Sequence, residues 1–113
     1  MMPEVEKEIS AMNIAFDFSN KFTIARVPRS YETAEDFALK FVRYLVPFVA
    51  KMLNIDYTRV VLVAISQNNK VVVYKVCDWS RSWLFYNFKL SNTKVYDDVD
   101  PETIIDEMKL AHK

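Results

Sequence analysis

Residues 59–77 read RVVLVAISQNNKVVVYKVC, and this stretch decides the fold. Two runs rich in β-branched residues, 59–66 and 70–77, predict two strands. The polar residues Gln67, Asn68 and Asn69 between them predict the turn of a β-hairpin. Because both runs are apolar at nearly every position, we expect both faces of the sheet to be covered.

Upstream of this hairpin, residues 34–53 predict one long apolar helix. Thr33 provides a cap, and Asp36 places a negative charge in the first turn. Pro47 removes the amide donor that the carbonyl of Arg43 would use, so we expect a kink there. A helix this apolar around its circumference is covered on more than one side. In a chain of 113 residues that second cover can be another subunit.

The remaining segments complete a single α+β domain over residues 1–113. Alternation at residues 14–18 and 22–27 predicts an N-terminal hairpin, and residues 82–90 predict a strand that a short strand at 93–96 can follow. Asp100-Pro101-Glu102 predicts the start of a C-terminal helix. Residues 1–12 are either a short helix or a flexible tail. We therefore expect an antiparallel sheet of two hairpin units (order ββ-α-βββ-α), packed against the long helix and the C-terminal helix.

The chain contains no glycine, whereas average usage of about 7% would give roughly eight. Phosphate-binding loops, dinucleotide-binding fingerprints and nucleophile elbows all need glycine, so these classes of site are excluded. Asparagine tolerates left-handed backbone and is expected to replace glycine in the turns. The turn candidates are Asn20, Asn54, Asn68, Asn69 and Asn92.

Charge is distributed unevenly although the net charge is zero. Residues 19–95 hold 12 Lys and Arg against 5 Asp and Glu, whereas both ends of the chain are acidic. This pattern is typical of a protein with an anionic partner, or of acidic ends that fold back on a basic body. The three cations of the long helix, Lys40, Arg43 and Lys51, form a narrow basic stripe. It is either a binding surface or the solvated face of a buried helix.

Residues 79–90 carry the candidate binding face. If this segment is a strand, one side presents aromatic and cationic side chains in alternation: Trp79, Arg81, Trp83, Phe85 and Lys89. Such a face can stack bases and track phosphates. The same residue types are enriched at protein interfaces, and they can equally form a second core face. All three interpretations stay open at this point.

Residues that could carry catalysis are few and poorly placed. His112, the single histidine, is the penultimate residue, and Cys77 lies beside Asp78, whose charge raises a thiol pKa. The acidic residues Asp97, Asp98, Asp100 and Glu102 could hold a cation, but helix capping explains the last two. We therefore expect no enzyme activity, no cofactor and no metal site.

From Thr33 onward, the order α-β-β-β-α resembles that of a double-stranded-RNA-binding domain. The resemblance is one of order alone. That family grips phosphates with lysines at the start of its last helix, whereas this chain has Asp100-Pro101-Glu102-Thr103 there, which would repel them. No binding residue is carried over.

The composition, with no glycine, one glutamine, one cysteine and strands such as VVLVAISQNNKVVVYKV, resembles that of orphan small proteins of hyperthermophilic archaeal viruses. This resemblance implies a small accessory protein that acts through partners. The acidic N-terminus and the single cysteine predict a cytoplasmic location (the host cytoplasm for a viral protein) without membrane insertion. The leading expectation is a non-enzymatic interaction protein that forms a homodimer; the alternative is a nucleic-acid-binding protein.

Overall fold

A computed structural model of the chain describes residues 16–19, 21–28, 31–66, 68–82 and 89–111. Its strands are β1 (Phe16–Asp17), β2 (Lys21–Arg26), β3 (Tyr57–Ile65), β4 (Val71–Ser80) and β5 (Ser91–Tyr96). Helix α1 runs through Ala34–Lys40, a π-helical turn at Phe41–Leu45 and Val46–Leu53, and helix α2 is Pro101–Ala111. The α+β class and both main helices are confirmed. The predictions for residues 1–12, Asn20, Gln67, Trp83, Phe85 and His112 fall outside the described residues.

The five strands form one sheet in chain order, β1-β2-β3-β4-β5. The predicted hairpins β1–β2 and β3–β4 are antiparallel, as is the pair β4–β5. The expectation of a wholly antiparallel sheet is wrong at one pair, because β2 and β3 run parallel, with Ile24 opposite Val61. Helix α1 carries the chain from the end of β2 back to the start of β3, which is the crossover that a parallel pair requires.

Most of the strand predicted at residues 82–90, namely 83–88, lies outside the described residues, and the described ends of this segment are not in a strand. Ser82 lies in a turn, and Lys89 and Leu90 precede the next strand. That strand is β5, which begins at Ser91 and includes the short strand predicted at 93–96.

Helix α1 begins as predicted, because the hydroxyl of Thr33 accepts a hydrogen bond from the amide of Asp36 at 3.1 Å. The kink predicted before Pro47 corresponds in the structure to the π-helical turn at Phe41–Leu45. In it the amide of Val46 donates to the carbonyl of Phe41, five residues back. Pro47 has no amide hydrogen to donate, and the wider π-helical turn lets the helix continue past it.

Helices cover both faces of the sheet, as the apolar hairpin predicted. Helix α1 packs on one face through Phe37, Phe41 and Val46, which are fully buried against Val60 and Leu62. Helix α2 covers the other face, where Ile104 and Ile105 pack against a second cluster of strand residues.

At two turns, asparagine adopts the left-handed backbone conformation that glycine usually adopts. Asn54 ends helix α1 with φ 55°, and Asn69 turns the β3–β4 hairpin with φ 58°. The turn predicted at Asn92 is wrong, because Asn92 lies within β5 opposite Tyr74.

Candidate functional site

Trp79 does not belong to an exposed aromatic face. It lies on β4 opposite Thr58, and only 6% of its surface is exposed. It packs in the core cluster beneath helix α1. A ring buried in this way cannot stack on a base, so the assignment of Trp79 to a binding face is wrong.

Arg81 is held by the carboxyl end of helix α1. Its Nη2 atom donates to the carbonyl oxygens of Ala50 at 3.2 Å and Ile55 at 3.0 Å. Its Nε atom lies 3.3 Å from a carboxylate oxygen of Asp56. A guanidinium group here donates to backbone carbonyls at the carboxyl end of the helix and opposes the negative end of the helix dipole. Arg81 therefore has a structural role that its position in the sequence did not reveal.

The other members of the predicted face are not brought together among the described residues. Lys89 is exposed outside the strands, and Trp83 and Phe85 lie in the part of the chain that is not described. The three described members therefore have different surroundings. Trp79 is a core residue, Arg81 contacts the carboxyl end of helix α1, and Lys89 is an exposed cation.

The predicted basic stripe lies on the solvent side of helix α1. Arg43 and Lys51 are exposed, and Lys40 is half-buried with its Nζ atom 5.7 Å from the centre of the Tyr31 ring. Among the described residues, no carboxylate forms an ion pair with Arg43 or Lys51 within 4 Å. This is the face of α1 that the protein's own core leaves uncovered.

We call this side of the helix the outward face of α1. Its members are exposed or half-buried and recur in pairs at every fourth position: Glu35, Asp36, Leu39, Lys40, Arg43, Tyr44, Pro47, Phe48, Lys51 and Met52. In a regular α-helix four residues overshoot one turn by roughly 40°, so such a stripe would wind around the axis. The π-helical turn rotates the backbone less per residue and keeps the outward face more nearly straight.

Apolar side chains are unusually accessible on and beside this face. Leu39 is 42% exposed, Met52 65% and the adjacent Leu53 53%. Asp36 and Glu35 lie at the amino end of the same face, and Lys51 lies at its carboxyl end. The outward face therefore combines apolar groups with charges of both signs, and the sequence signal for it was the apolar composition of residues 34–53.

Elsewhere, acidic side chains form ion pairs with some of the cations in the basic middle of the chain. The carboxylate of Glu102 contacts the guanidinium group of Arg26, and the Oδ1 atom of Asp97 lies 3.5 Å from the Nζ atom of Lys70. Within the middle itself, Asp78 accepts two hydrogen bonds from Arg59, which lower the pKa of the carboxyl group. These contacts fit the interpretation that the acidic C-terminal segment folds back on the basic body.

Two further features bear on chemistry. Burial, and to a smaller extent the charge of Asp78, raise the pKa of the Cys77 thiol to about 12, which disfavours the reactive thiolate. A cleft of about 620 Å³ opens where β2 and β3 end, lined in part by Arg26, Glu32 and Ser66. Because Arg26 already contacts Glu102, the charges of the cleft favour no particular ligand.

Among the described residues, neither helix combines the length and the apolar composition needed to cross a lipid bilayer. Comparison of the chain with protein-family models, with curated proteins and with solved structures finds no match.

Proposed function

We propose that this protein is a non-enzymatic interaction protein and that it acts as a homodimer through the outward face of helix α1. The observation that carries the proposal is the exposure of Leu39 and Met52 on a helix whose opposite side is fully packed. Exposed apolar groups among charges are typical of protein interfaces. The single cysteine of the chain supports a reducing, cytoplasmic-type location for this dimer.

A second copy of the chain is the partner that this face favours. A two-fold interface must be complementary to itself, because each patch meets the same patch on the other subunit. In an antiparallel pair, the acidic amino end of the outward face would meet the basic carboxyl end of the other copy, with apolar side chains and the cations Lys40 and Arg43 between them. The viral origin implied by composition stays a prediction.

Sedimentation equilibrium over a wide range of protein concentration tests the proposal. We expect the wild-type chain to dimerise, and we expect Leu39→Glu and Met52→Glu to remain monomeric at the same concentrations. Glutamate is a good helix former, so neither change should unfold α1.

The matched control is Leu110→Glu, because Leu110 is 67% exposed on helix α2 and lies outside the proposed interface. It should dimerise like the wild type. A wild-type chain that stays monomeric at the highest soluble concentration would overturn the proposal.

A further inference from the structure

We infer that helix α2 is a hinged cover of the sheet, and that two ion pairs to the β1–β2 hairpin control how often it opens. In the open state α2 moves away from the sheet while the rest of the domain stays folded. The inference concerns the face of the sheet opposite to the one that α1 covers. It therefore holds for a monomer and for the proposed dimer alike.

Helix α2 is anchored to the core by few side chains. Ile104 and Ile105 are buried in the second core cluster, and Met108 is half-buried beside them. Helix α1, in contrast, buries residues along most of its length, from Phe37 to Ala50. Elements with few buried contacts open at a lower free energy than the rest of a fold, so α2 is the helix that opens first.

On the side of β1 and β2, charges attach α2 across a gap. An open slot of about 260 Å³ lies between the helix and these strands. Near the amino end of α2, the carboxylate of Glu102 contacts the guanidinium group of Arg26. Near its carboxyl end, the Nζ atom of Lys109 lies 2.6 Å from the Oδ2 atom of Asp17. All four side chains are partly exposed, so dissolved salt screens both ion pairs.

The remaining charges of α2 are the exposed carboxylates of Asp106 and Glu107. The hydrogen bond to Asp17, the charge of Asp17 and the charge of Asp106 raise the pKa of Lys109. The two pairs between α2 and the strands are the close contacts among these charges. Added salt is therefore expected to weaken the attachment of α2 on balance.

The connection between β5 and α2 provides the hinge. Residues 97–100 form this connection, and Asp98 within it has a left-handed backbone with φ 51°. Helix α2 takes no part in the strand pairing of the sheet, so changed backbone angles in these few residues are sufficient to move it. Opening uncovers an apolar face formed by β2, β3 and β4, whose buried members are Phe22, Ile24, Val61, Val63, Val71 and Val73.

Thiol labelling in a Cys77→Ser background tests the cover. Val63 and Val60 are both fully buried on β3, Val63 in the cluster beneath α2 and Val60 in the cluster beneath α1. We expect a soluble thiol reagent to label Val63→Cys faster than the matched control Val60→Cys by about tenfold or more, because only the first thiol is uncovered by local opening. Equal labelling rates would show that both faces open only together, and would overturn the inference.

Asp17→Asn tests the ion pairs, because it removes one partner on the strand and leaves the helix unchanged. In the Val63→Cys variant it should raise the labelling rate about threefold at low salt. It should have no effect in about 1 M salt, where the screening length is about 3 Å. The control is Glu107→Gln, on α2 but outside both ion pairs, which should not change the rate. A rate that neither salt nor Asp17→Asn changes, measured relative to Val60→Cys, would overturn the role of the ion pairs.

Discussion

The hydroxyl oxygens of Thr23 and Thr58 lie 2.6 Å apart between the parallel strands β2 and β3, and both residues are fully buried. Each hydroxyl serves as a hydrogen-bond partner of the other in a setting without solvent. Removing one leaves the other unsatisfied, which costs about 1–3 kcal/mol. The pair therefore stabilises the parallel junction of the sheet, whose two strands are separated in the chain by helix α1.

We expect Thr23→Val and Thr58→Val each to lower the free energy of unfolding by about 1–3 kcal/mol. The double variant should recover most of this loss, because it replaces both polar groups with apolar groups of similar shape. Urea denaturation of the four proteins measures the coupling free energy directly. Strictly additive losses would show that the two hydroxyls do not depend on each other.

For single residues, the sequence predicted the roles that depend on neighbours in the chain well and the roles that depend on distant segments poorly. The cap formed by Thr33 and the left-handed turn at Asn69 depend on neighbouring residues, and both were predicted correctly. The roles of Trp79 and Arg81 depend on helix α1, which precedes them by more than 25 residues in the chain. No periodicity within residues 79–90 could indicate that contact.

Helix α1 shows how one proline is accommodated in a continuous element. Its bounds, residues 34–53, were predicted from composition and capping, and the structure confirms them. The sequence indicated a disturbance near Arg43, but a missing donor can produce either a kink or a widened turn. The choice is made by packing, because Val46, Val49 and Ala50 must face the same core as Phe37 and Phe41.

The π-helical turn acts as a one-residue insertion in an otherwise α-helical pattern. We expect deletion of Arg43 to be tolerated better than an insertion, because a regular α-helix then brings the buried residues on both sides into line, although Pro47 loses the wider turn that accommodates it. Insertion of one alanine after Arg43 should instead rotate residues 46–53 away from the core by roughly 100°.

Circular dichroism melting curves of the two variants check this asymmetry. The deletion should melt cooperatively at a moderately lower temperature than the wild type, and the insertion should melt far below it or fail to fold. Equal destabilisation by both changes would show that the π-helical turn is required for the fold itself.

The whole molecule distributes its charge so that the acidic C-terminal segment offsets the basic middle. Glu102 and Asp97 contact Arg26 and Lys70, so the local excess of positive charge seen in the sequence is reduced at the surface. The sequence predicted the imbalance but left open whether it served a partner or the protein itself. At Arg26 and Lys70 these contacts favour the protein itself, because they use two of the cations that an anionic partner would need.

For this reason we expect at most weak binding to nucleic acid. Fluorescence anisotropy of labelled single- and double-stranded oligonucleotides should show no binding at physiological salt, and any binding at low salt should disappear as salt is added. Trp83→Ala is the informative variant, since Trp83 belongs to the predicted aromatic face. Tight binding that this substitution abolishes would establish the nucleic-acid alternative.

The parallel pair β2–β3 also has a consequence for how the chain folds. The pairs β1–β2, β3–β4 and β4–β5 join segments that are neighbours in the chain, whereas β2 and β3 are separated by residues 27–56. Closing that long loop costs chain entropy before the contacts between the two strands provide any stabilisation. The two hairpin regions can therefore form early and independently, and the rate-limiting step of folding is expected to be their docking along Thr23 and Thr58, once helix α1 has shortened the path between them.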